Sequence, residues 1–365
     1  MILTYKYRLI NASYARRLRR HTYSLNQTWN YCVATQKRIE RAWKESSPKQ
    51  PWPSEFDLNK MTAGTSRELD THAGSIHEIS RFFVTSRDKN KRAPRFRKSF
   101  GPKRSLGWVP FRASDRKISG NSIRFAGKTY RWFKDSRELP VIIKGGAFVE
   151  DSLGRWWVTL QVEVATDQNH GIAVVGIDLG LKTLATLSNG DKIENPQVFR
   201  KLEAKLAVAQ RAGNKSRVRA IHDKIKNVRN DYQHKETTRL IRQCRYIAIG
   251  DVSSPQLAKT KMAKSVLDAS WGGFRDKLRY KARRHGVQFQ DVDEKYTTQT
   301  CSSCGDKPPE RPRGIAGLGI REWKCSECGV SHDRDVNAAR NILTLGLSVQ
   351  PLAEGTSRVK NPLGN

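Results

Sequence analysis

Three observations predict an α/β domain, a mixed sheet with helices on its faces, behind an N-terminal part made of a helical block and a small antiparallel sheet or barrel. In the C-terminal half, apolar runs and charged helical stretches alternate as strand, strand, strand, helix, strand, helix, strand. Between positions 122 and 164 lie strand-like runs bounded by Gly, Pro and Asp. And 68 Lys and Arg against 35 Asp and Glu give a formal charge of +33, which asks for a polyanionic partner.

At the N-terminus, Ile2, Tyr5, Tyr7 and Leu9 alternate closely enough for a strand. Leu25, Trp29, Cys32 and Val33 then recur at helical spacing, and the pattern continues through "ATQKRIERAW". The proline-bearing "SSPKQPWPS" separates this helix from a second helical block near 66 to 86. From Arg87 to Arg131, fifteen Lys or Arg face only Asp88 and Asp115, with Phe96, Phe100, Trp108, Phe111, Phe125 and Tyr130 interleaved. Such a segment neutralises phosphates while its rings pack or stack on bases. Lys91, Arg92, Arg95, Arg97 and Lys98 of "KRAPRFRK" are the candidate nucleic-acid contacts. The competing reading is a solvated loop whose aromatics belong to the core. The runs "SIRFAGKTYRWF", "LPVIIKG", "GAFVED" and "RWWVTLQVEV" supply the small sheet or barrel, with residues 1 to 10 as a candidate first strand.

Past "ATDQNHG" the continuous apolar run "IAVVGIDLG" is a buried strand, "TLATLSNG" a second and "DKIENPQVF" a third. Charged helices follow at about 197 to 211 and 215 to 244, then the strand "YIAIGD", the helical "AKSVLDASWGGFRDKLRYKARRHG" and the strand "VQFQDVDE". This is the element order of an RNase H-like fold. No repeat of solenoid period interrupts it.

No apolar run approaches the ~20 residues of a spanning helix, and "MILTYKYRLI" lacks the apolar core of a signal peptide. Nucleic acid is therefore the expected polyanion and the cytoplasm the expected compartment. Cys32 and Cys244 stand alone and read as buried thiols. The other four cysteines form two C-x-x-C pairs, Cys301 with Cys304 and Cys325 with Cys328, at the spacing of one tetrahedral zinc site. Four thiolates leave no position for substrate, so that zinc is structural.

In such a sheet the first strand and the strand after the long helices are neighbours, which aims Asp178 and the end of "YIAIGD" at one crevice. Carboxylates converging there repel one another unless divalent cations lie between them, and two Mg²⁺ so held activate water and stabilise a leaving oxygen in phosphodiester hydrolysis. A third acid comes from "HDRDVNAARNIL", where Asp333 and Asp335 open a helix. Its small Ala338 and Ala339 permit close approach to the sheet. One of these two aspartates is expected to be an N-cap.

"GIDLG" with "LATLSNG", "NVRNDYQHK", "AKSVLDASWGGF", "YTTQTCSSCG", "CSECG" and "HDRDVNAARNIL" together resemble TnpB, the RNA-guided DNA endonuclease of bacterial insertion sequences, related to type V CRISPR effectors. The resemblance is close over the RuvC-like and zinc-ribbon half, and over residues 1 to 170 rests on order and composition. It implies a wedge β-barrel (1–10 and 116–170) interrupted by a helical recognition domain with a basic segment (11–115). A RuvC-like nuclease domain (171–294 and 332–346), an inserted four-cysteine zinc ribbon (295–331) and a disordered tail (347–365) follow. It also implies a guide RNA from the transposon end, a double-stranded DNA target cut beside a short flanking motif, Mg²⁺ as the catalytic metal, association with the nucleoid through DNA, and Asp178 and Asp335 as the first and third catalytic acids.

Gly250 departs from the family, which carries Glu immediately before the Asp of this strand. Three readings meet there. Asp251 substitutes, although strand alternation turns it to the other face; or the site is dead and the chain is an RNA-guided DNA-binding repressor; or the acid has moved. Glu294, at the end of the neighbouring strand where the family has a proline, is the expected replacement. Intact Asp178 and Asp335 would be unnecessary in a decayed site. The expected ligands of Mg²⁺ are thus Asp178, Glu294 and Asp335. Outside this class stand a transposase or resolvase without guide RNA and a zinc-ribbon RNA-binding factor without catalysis. His234 is read as exposed or RNA-facing, Trp271 as packed between helix and sheet, and Arg334 as either a phosphate contact or an ion-pair partner.

Overall fold

Two units make up the chain, Met1–Val164 and Ala165–Asn365, and the computed structural model describes residues 1–43, 51–133, 138–140, 142–168, 170–252, 263–313 and 316–349. The first unit runs β1 (Ile2–Arg8), α1 (Tyr14–Ala42), α2 (Glu55–Met61), α3 (Thr65–Glu68), α4 (Ala73–Asn90), β2 (Trp108–Arg112), β3 (Arg116–Ser119), β4 (Ser122–Phe125), β5 (Lys128–Arg131), β6 (Ile143–Glu150) and β7 (Trp156–Glu163). Four strands pair antiparallel in the order β1-β7-β6-β2, and β3-β4-β5 form a second antiparallel sheet. The core between them is aromatic, with Tyr7, Phe111, Phe125, Tyr130 and Phe148 buried together.

Two expectations are corrected here. Among the described residues of this unit the strands form two sheets, joined by an antiparallel bridge between Leu9 and Trp132, and no closed barrel. And β2 precedes residue 116, so 108–112 belongs to the sheet rather than to the helical segment assigned to 11–115. Its alternation escaped notice because Pro110 breaks the apolar run "WVPF" at an edge strand, where a missing N–H costs no ladder bond. The short α2 was also missed, although its signal is local. Ser54 accepts the Asp57 N–H and Asp57 accepts the Ser54 N–H, a reciprocal cap that starts a helix immediately after a proline.

The second unit runs β8 (Ala173–Leu179), β9 (Thr183–Leu187), β10 (Lys192–Glu194), α5 (Val198–Arg211), α6 (Lys215–Gln243), β11 (Cys244–Gly250), α7 (Ala263–Ala269), α8 (Trp271–His285), β12 (Gln288–Val292), β13 (Glu322–Lys324), β14 (Ser331–Asp333) and α9 (Arg334–Val349). Its sheet has the order β10-β9-β8-β11-β12, with β8, β11 and β12 parallel and β9 and β10 antiparallel to their neighbours. The segment read as one helix after "YIAIGD" is two, broken at Ser270, whose φ of 52° takes it out of the helix. The tail expected over 347–365 lies, from 350 on, outside the described residues.

Period-2 alternation sorts the sheet's two faces. Ile177, Ile247 and Ile249 join Phe274 and Leu278 of α8 on one face, each full burial worth ~1.5–3 kcal/mol. Tyr246, Ala248 and Val292 meet Ile342 of α9 on the other. Gly176 lets α9 come this close. A side chain there would overlap the Ala339 carbonyl and reach within 2.7 Å of the Leu343 nitrogen.

Candidate active site and metal centre

The same alternation that places Gly176 against α9 brings Asp178, two residues on, to that face at the end of β8. Ala248 sets Gly250 there on β11 in the same way, and Val292 leads to Glu294 just past β12. The α9 helix starts at the same end and carries Asp335 in its first turn. Four chain segments therefore deliver their ends to one place.

The two aspartates of "HDRD" divide their roles as hydrogen-bond geometry requires. Asp333 Oδ1 accepts the backbone N–H of Asp335 at 2.9 Å and of Val336 at 3.0 Å, which makes Asp333 the helix cap, and Lys192 Nζ holds its other oxygen at 2.8 Å. Asp335 is left with its carboxylate uncommitted to capping and accepts Arg321 Nη1 at 3.3 Å. Arg334 donates Nη1 to the Gly317 carbonyl at 2.8 Å, and its charge acts on Asp178.

Gly250 has its missing side chain's space filled from the adjoining strand. A Cβ there would lie 2.9 Å from Glu294 Oε2 and 3.2 Å from Ile342 Cδ1. The Glu294 backbone is fixed by Thr297, whose N–H and Oγ1 both donate to the Glu294 carbonyl, at 3.1 and 2.8 Å. Asp251 is turned away, as alternation requires, and pairs with Arg275 of α8 on the opposite face.

Electrostatics ties Asp178 to the other two acids. Burial pushes the Asp178 carboxyl well above its ordinary range, and the carboxylates of Asp335 and Glu294 push it further, against a smaller pull from Arg334. Glu294 is raised too, first by burial and then by Asp251 and Asp293, with Arg275 opposing. Such a cluster is costly with only protein around it, and a divalent cation is the partner that reverses the cost. Carboxylate oxygens are also the donors that Mg²⁺ prefers, so the residues present fit that ion.

The four-cysteine cluster is more compact than the acids. The four Sγ atoms of Cys301, Cys304, Cys325 and Cys328 lie within 4.8 Å of one another, and among the described residues they are the group gathered within one ion's reach. The acids stand further apart. A Zn–S bond of ~2.3 Å implies a tetrahedral edge of ~3.8 Å, and Cys301–Cys328 at 3.6 Å and Cys304–Cys325 at 3.8 Å match it. The two knuckles are built alike, with Gly305 and Gly329, at φ 86° and 70°, each donating its N–H to the first cysteine's carbonyl at 2.9 Å. His332 lies against this cluster, its Nε2 3.1 Å from Cys301 Sγ and its ring on Trp323. It went unnoticed because one histidine beside "DRD" has no ligand spacing.

Asn337 and Asn341 were also missed. Both amides donate to the carbonyls of Thr297 and Thr300, and Asn337 Oδ1 accepts the Ser302 N–H at 2.8 Å. One turn apart on α9, they clamp the segment that links Glu294 to the first cysteine knuckle. Two Asn spaced i, i+4 on a face otherwise made of Ala and Ile were the available signal.

Of the basic candidates, Lys91, Arg92, Arg95 and Lys98 are exposed. Arg97 is not equivalent to them. Its guanidinium lies between the rings of Trp29 (5.0 Å) and Trp108 (4.8 Å), with Nη1 shut off from solvent. Helix α1 holds the stretch in place through Trp29 Nε1 to the Arg95 carbonyl and Asn30 to both backbone groups of Arg97. His234 is exposed and Trp271 buried, donating Nε1 to the Gly180 carbonyl at 2.9 Å. No described helix is long and apolar enough to cross a membrane.

Residues 158–261 match the family model described as "Probable transposase" of the OrfB_IS605 type, and residues 271–342 match the Cas12f1-like TNB domain. A "Putative RNA-guided DNA endonuclease" of Streptomyces pristinaespiralis is 38% identical over 220 residues, 56% of this chain and 53% of that protein. InsQ of Escherichia coli K12, "Putative RNA-guided DNA endonuclease InsQ", is 31% identical over 252 residues, 61% of each chain. These matches span between about half and three-fifths of the relatives' length. Among solved structures, the cryo-EM Cas12f1–sgRNA–target DNA complex superposes with a TM-score of 0.58 at 13% identity, covering 91% of this chain and 83% of that one, and shares its fold.

Proposed function

From a chain that carries TnpB- and Cas12f1-like domains, we propose an RNA-guided DNA endonuclease whose nuclease site is completed by Glu294 in place of an acid at position 250. The observation that carries this is the Glu294 carboxylate lying where a side chain on Gly250 would begin, on the face that also receives Asp178 and Asp335.

In this reading Asp178, Glu294 and Asp335 hold Mg²⁺. Bound there, the cation supplies activation of water and neutralisation of charge on the leaving oxygen. The protein's part is placement. Asp333 caps α9 and frees Asp335, Thr297 fixes Glu294, and the asparagine clamp ties Glu294 to the helix that bears Asp335. The cysteine knuckles, loaded with zinc, anchor the other end of that clamp. The net charge of +33 and the exposed Lys91, Arg92, Arg95 and Lys98 suit a protein that holds an RNA–DNA duplex by its backbone and leaves sequence reading to base pairing. The guide's origin at a transposon end is part of this proposal and rests on the resemblance alone.

The test is to purify the full chain with its bound RNA, sequence that RNA, and challenge the complex with a plasmid matching its 3′ segment. A defined stoichiometric RNA and Mg²⁺-dependent cutting are expected. Cutting without RNA points to a transposase- or resolvase-like enzyme, and RNA-directed binding without cutting to a repressor.

A further inference from the structure

Beside α1 in the N-terminal unit lies a cavity of about 350 Å³ whose wall includes Arg19, Tyr23, Asn26, Phe100, Arg104 and Glu150. None of these belongs to the nuclease site or the zinc centre, and Phe100 and Arg104 come from the basic, aromatic segment.

At its mouth, Phe100 is 75% exposed and Tyr23 42% exposed, their rings 5.4 Å apart and tilted. Large aromatics so exposed contribute little to the fold. Phe100 is nevertheless held firmly, at the tip of a loop closed by Ser105 N–H to the Lys98 carbonyl at 2.7 Å and turned by Gly101 at φ 83°. Deeper in, Asn26 is 1% exposed; its amide nitrogen donates to Ser99 Oγ at 3.1 Å, while its Oδ1 has no hydrogen-bond partner among the described residues. A buried amide oxygen left unpaired costs ~1–3 kcal/mol, and an incoming donor removes that cost. The cavity's charge is positive as well. Glu150 is fully buried and takes both Arg104, through two hydrogen bonds of 2.7 and 2.9 Å, and Arg19 at 3.1 Å, so two guanidiniums share one carboxylate.

An exposed aromatic pair, an unpaired acceptor behind it and a surplus cation match the three parts of a nucleotide: base face, base edge and phosphate. We propose that this cavity binds a single unstacked nucleobase of a polynucleotide strand, which stacks on Phe100 and Tyr23 and offers an exocyclic amine or ring N–H to Asn26 Oδ1. It rests on the nucleic-acid reading above and adds a point of base recognition outside guide pairing. Adenine, cytosine and guanine carry such an amine at the base edge, so bases are distinguished by where it lies.

The probe is a short single strand, in DNA and RNA versions, with one 2-aminopurine among pyrimidines, titrated into the full chain. Quenching on binding is expected for the strand that supplies the base, which identifies DNA or RNA as the source. Phe100→Ala should weaken binding roughly 5- to 100-fold and abolish quenching, Phe100→Trp should retain both, and Asn26→Ala should flatten the preference among bases. Phe100 lies outside the core, so its variants keep the wild-type melting curve and stand alone if Asn26→Ala unfolds. A wild-type chain that binds neither strand refutes the nucleic-acid reading itself. Wild-type binding and quenching in Phe100→Ala refute the cavity alone.

Discussion

Glu294 places its carboxylate 2.9 Å from where a Cβ on Gly250 would stand, and its own Cβ 3.4 Å from the same point. The glycine and the glutamate are thus one structural choice, since a residue at 250 and the present position of Glu294 exclude each other. Gly250→Ala should displace the carboxylate and slow plasmid cleavage about 10- to 100-fold, the scale of an ångström-sized misplacement. The exchange Gly250→Glu with Glu294→Gln returns an acid to the strand and should recover part of that loss. Unaltered cleavage by Gly250→Ala would separate the two residues.

Gly176 decides how near α9 lies to the sheet. Gly176→Ala drives a methyl against the helix backbone, which cannot rotate aside as a side chain can, so the variant should lose ~1–3 kcal/mol in urea unfolding. An unchanged urea midpoint for Gly176→Ala would show that α9 moves aside at no cost.

The sequence carried the strand order of the second unit and the four-cysteine cluster because each has a short-range signature: apolar runs of strand length, and cysteines at knuckle spacing. Alternation alone sends Asp251 to the other face, and it pairs with Arg275 of the helix packed there, near enough for its charge to act on Glu294. Choosing Asp333 over Asp335 as the cap needed coordinates, because both lie at the start of the helix. So did His332 and the Asn337–Asn341 clamp, whose partners lie 31 to 44 residues away. In the N-terminal unit, Arg97 read as one cation among five, and its Trp29–Trp108 sandwich joins positions 68 and 11 residues from it. Charge runs are legible in a sequence, whereas the side on which each charge lies is not.

The cysteine site should hold one zinc per chain. Cys325→Ser removes a buried ligand and should lower zinc content and the melting temperature together, whereas Asp178→Asn should leave zinc at wild-type content. Elemental analysis of both variants checks this, and zinc retained by Cys325→Ser would contradict it.

Lys281 is buried under α6, donating to the His234 carbonyl and the hydroxyls of Thr237 and Thr238 at 2.7 Å each. Burial, with Lys277 adding to it, lowers its pKa from 10.5 to about 8. The unfolded chain therefore binds more protons than the folded one between those values, so this group destabilises fully below about pH 8 and less as pH rises toward 10.5. Lys281→Met should gain stability over wild type at pH 7, and the gain should shrink at pH 9.5. Melting curves of both proteins at the two pH values test it, and a gain independent of pH would assign it to packing.

The decisive measurement is Mg²⁺-dependent cleavage of a guide-matched plasmid by Glu294→Gln, beside Asp178→Asn and the wild type, with guide RNA and target binding measured on the same preparations. Both variants should bind RNA and target as the wild type does and cut at least about 100-fold more slowly, a loss of about 2.7 kcal/mol of barrier lowering. Cutting by Glu294→Gln at the wild-type rate, while Asp178→Asn is dead, would contradict the relocation of the catalytic acid.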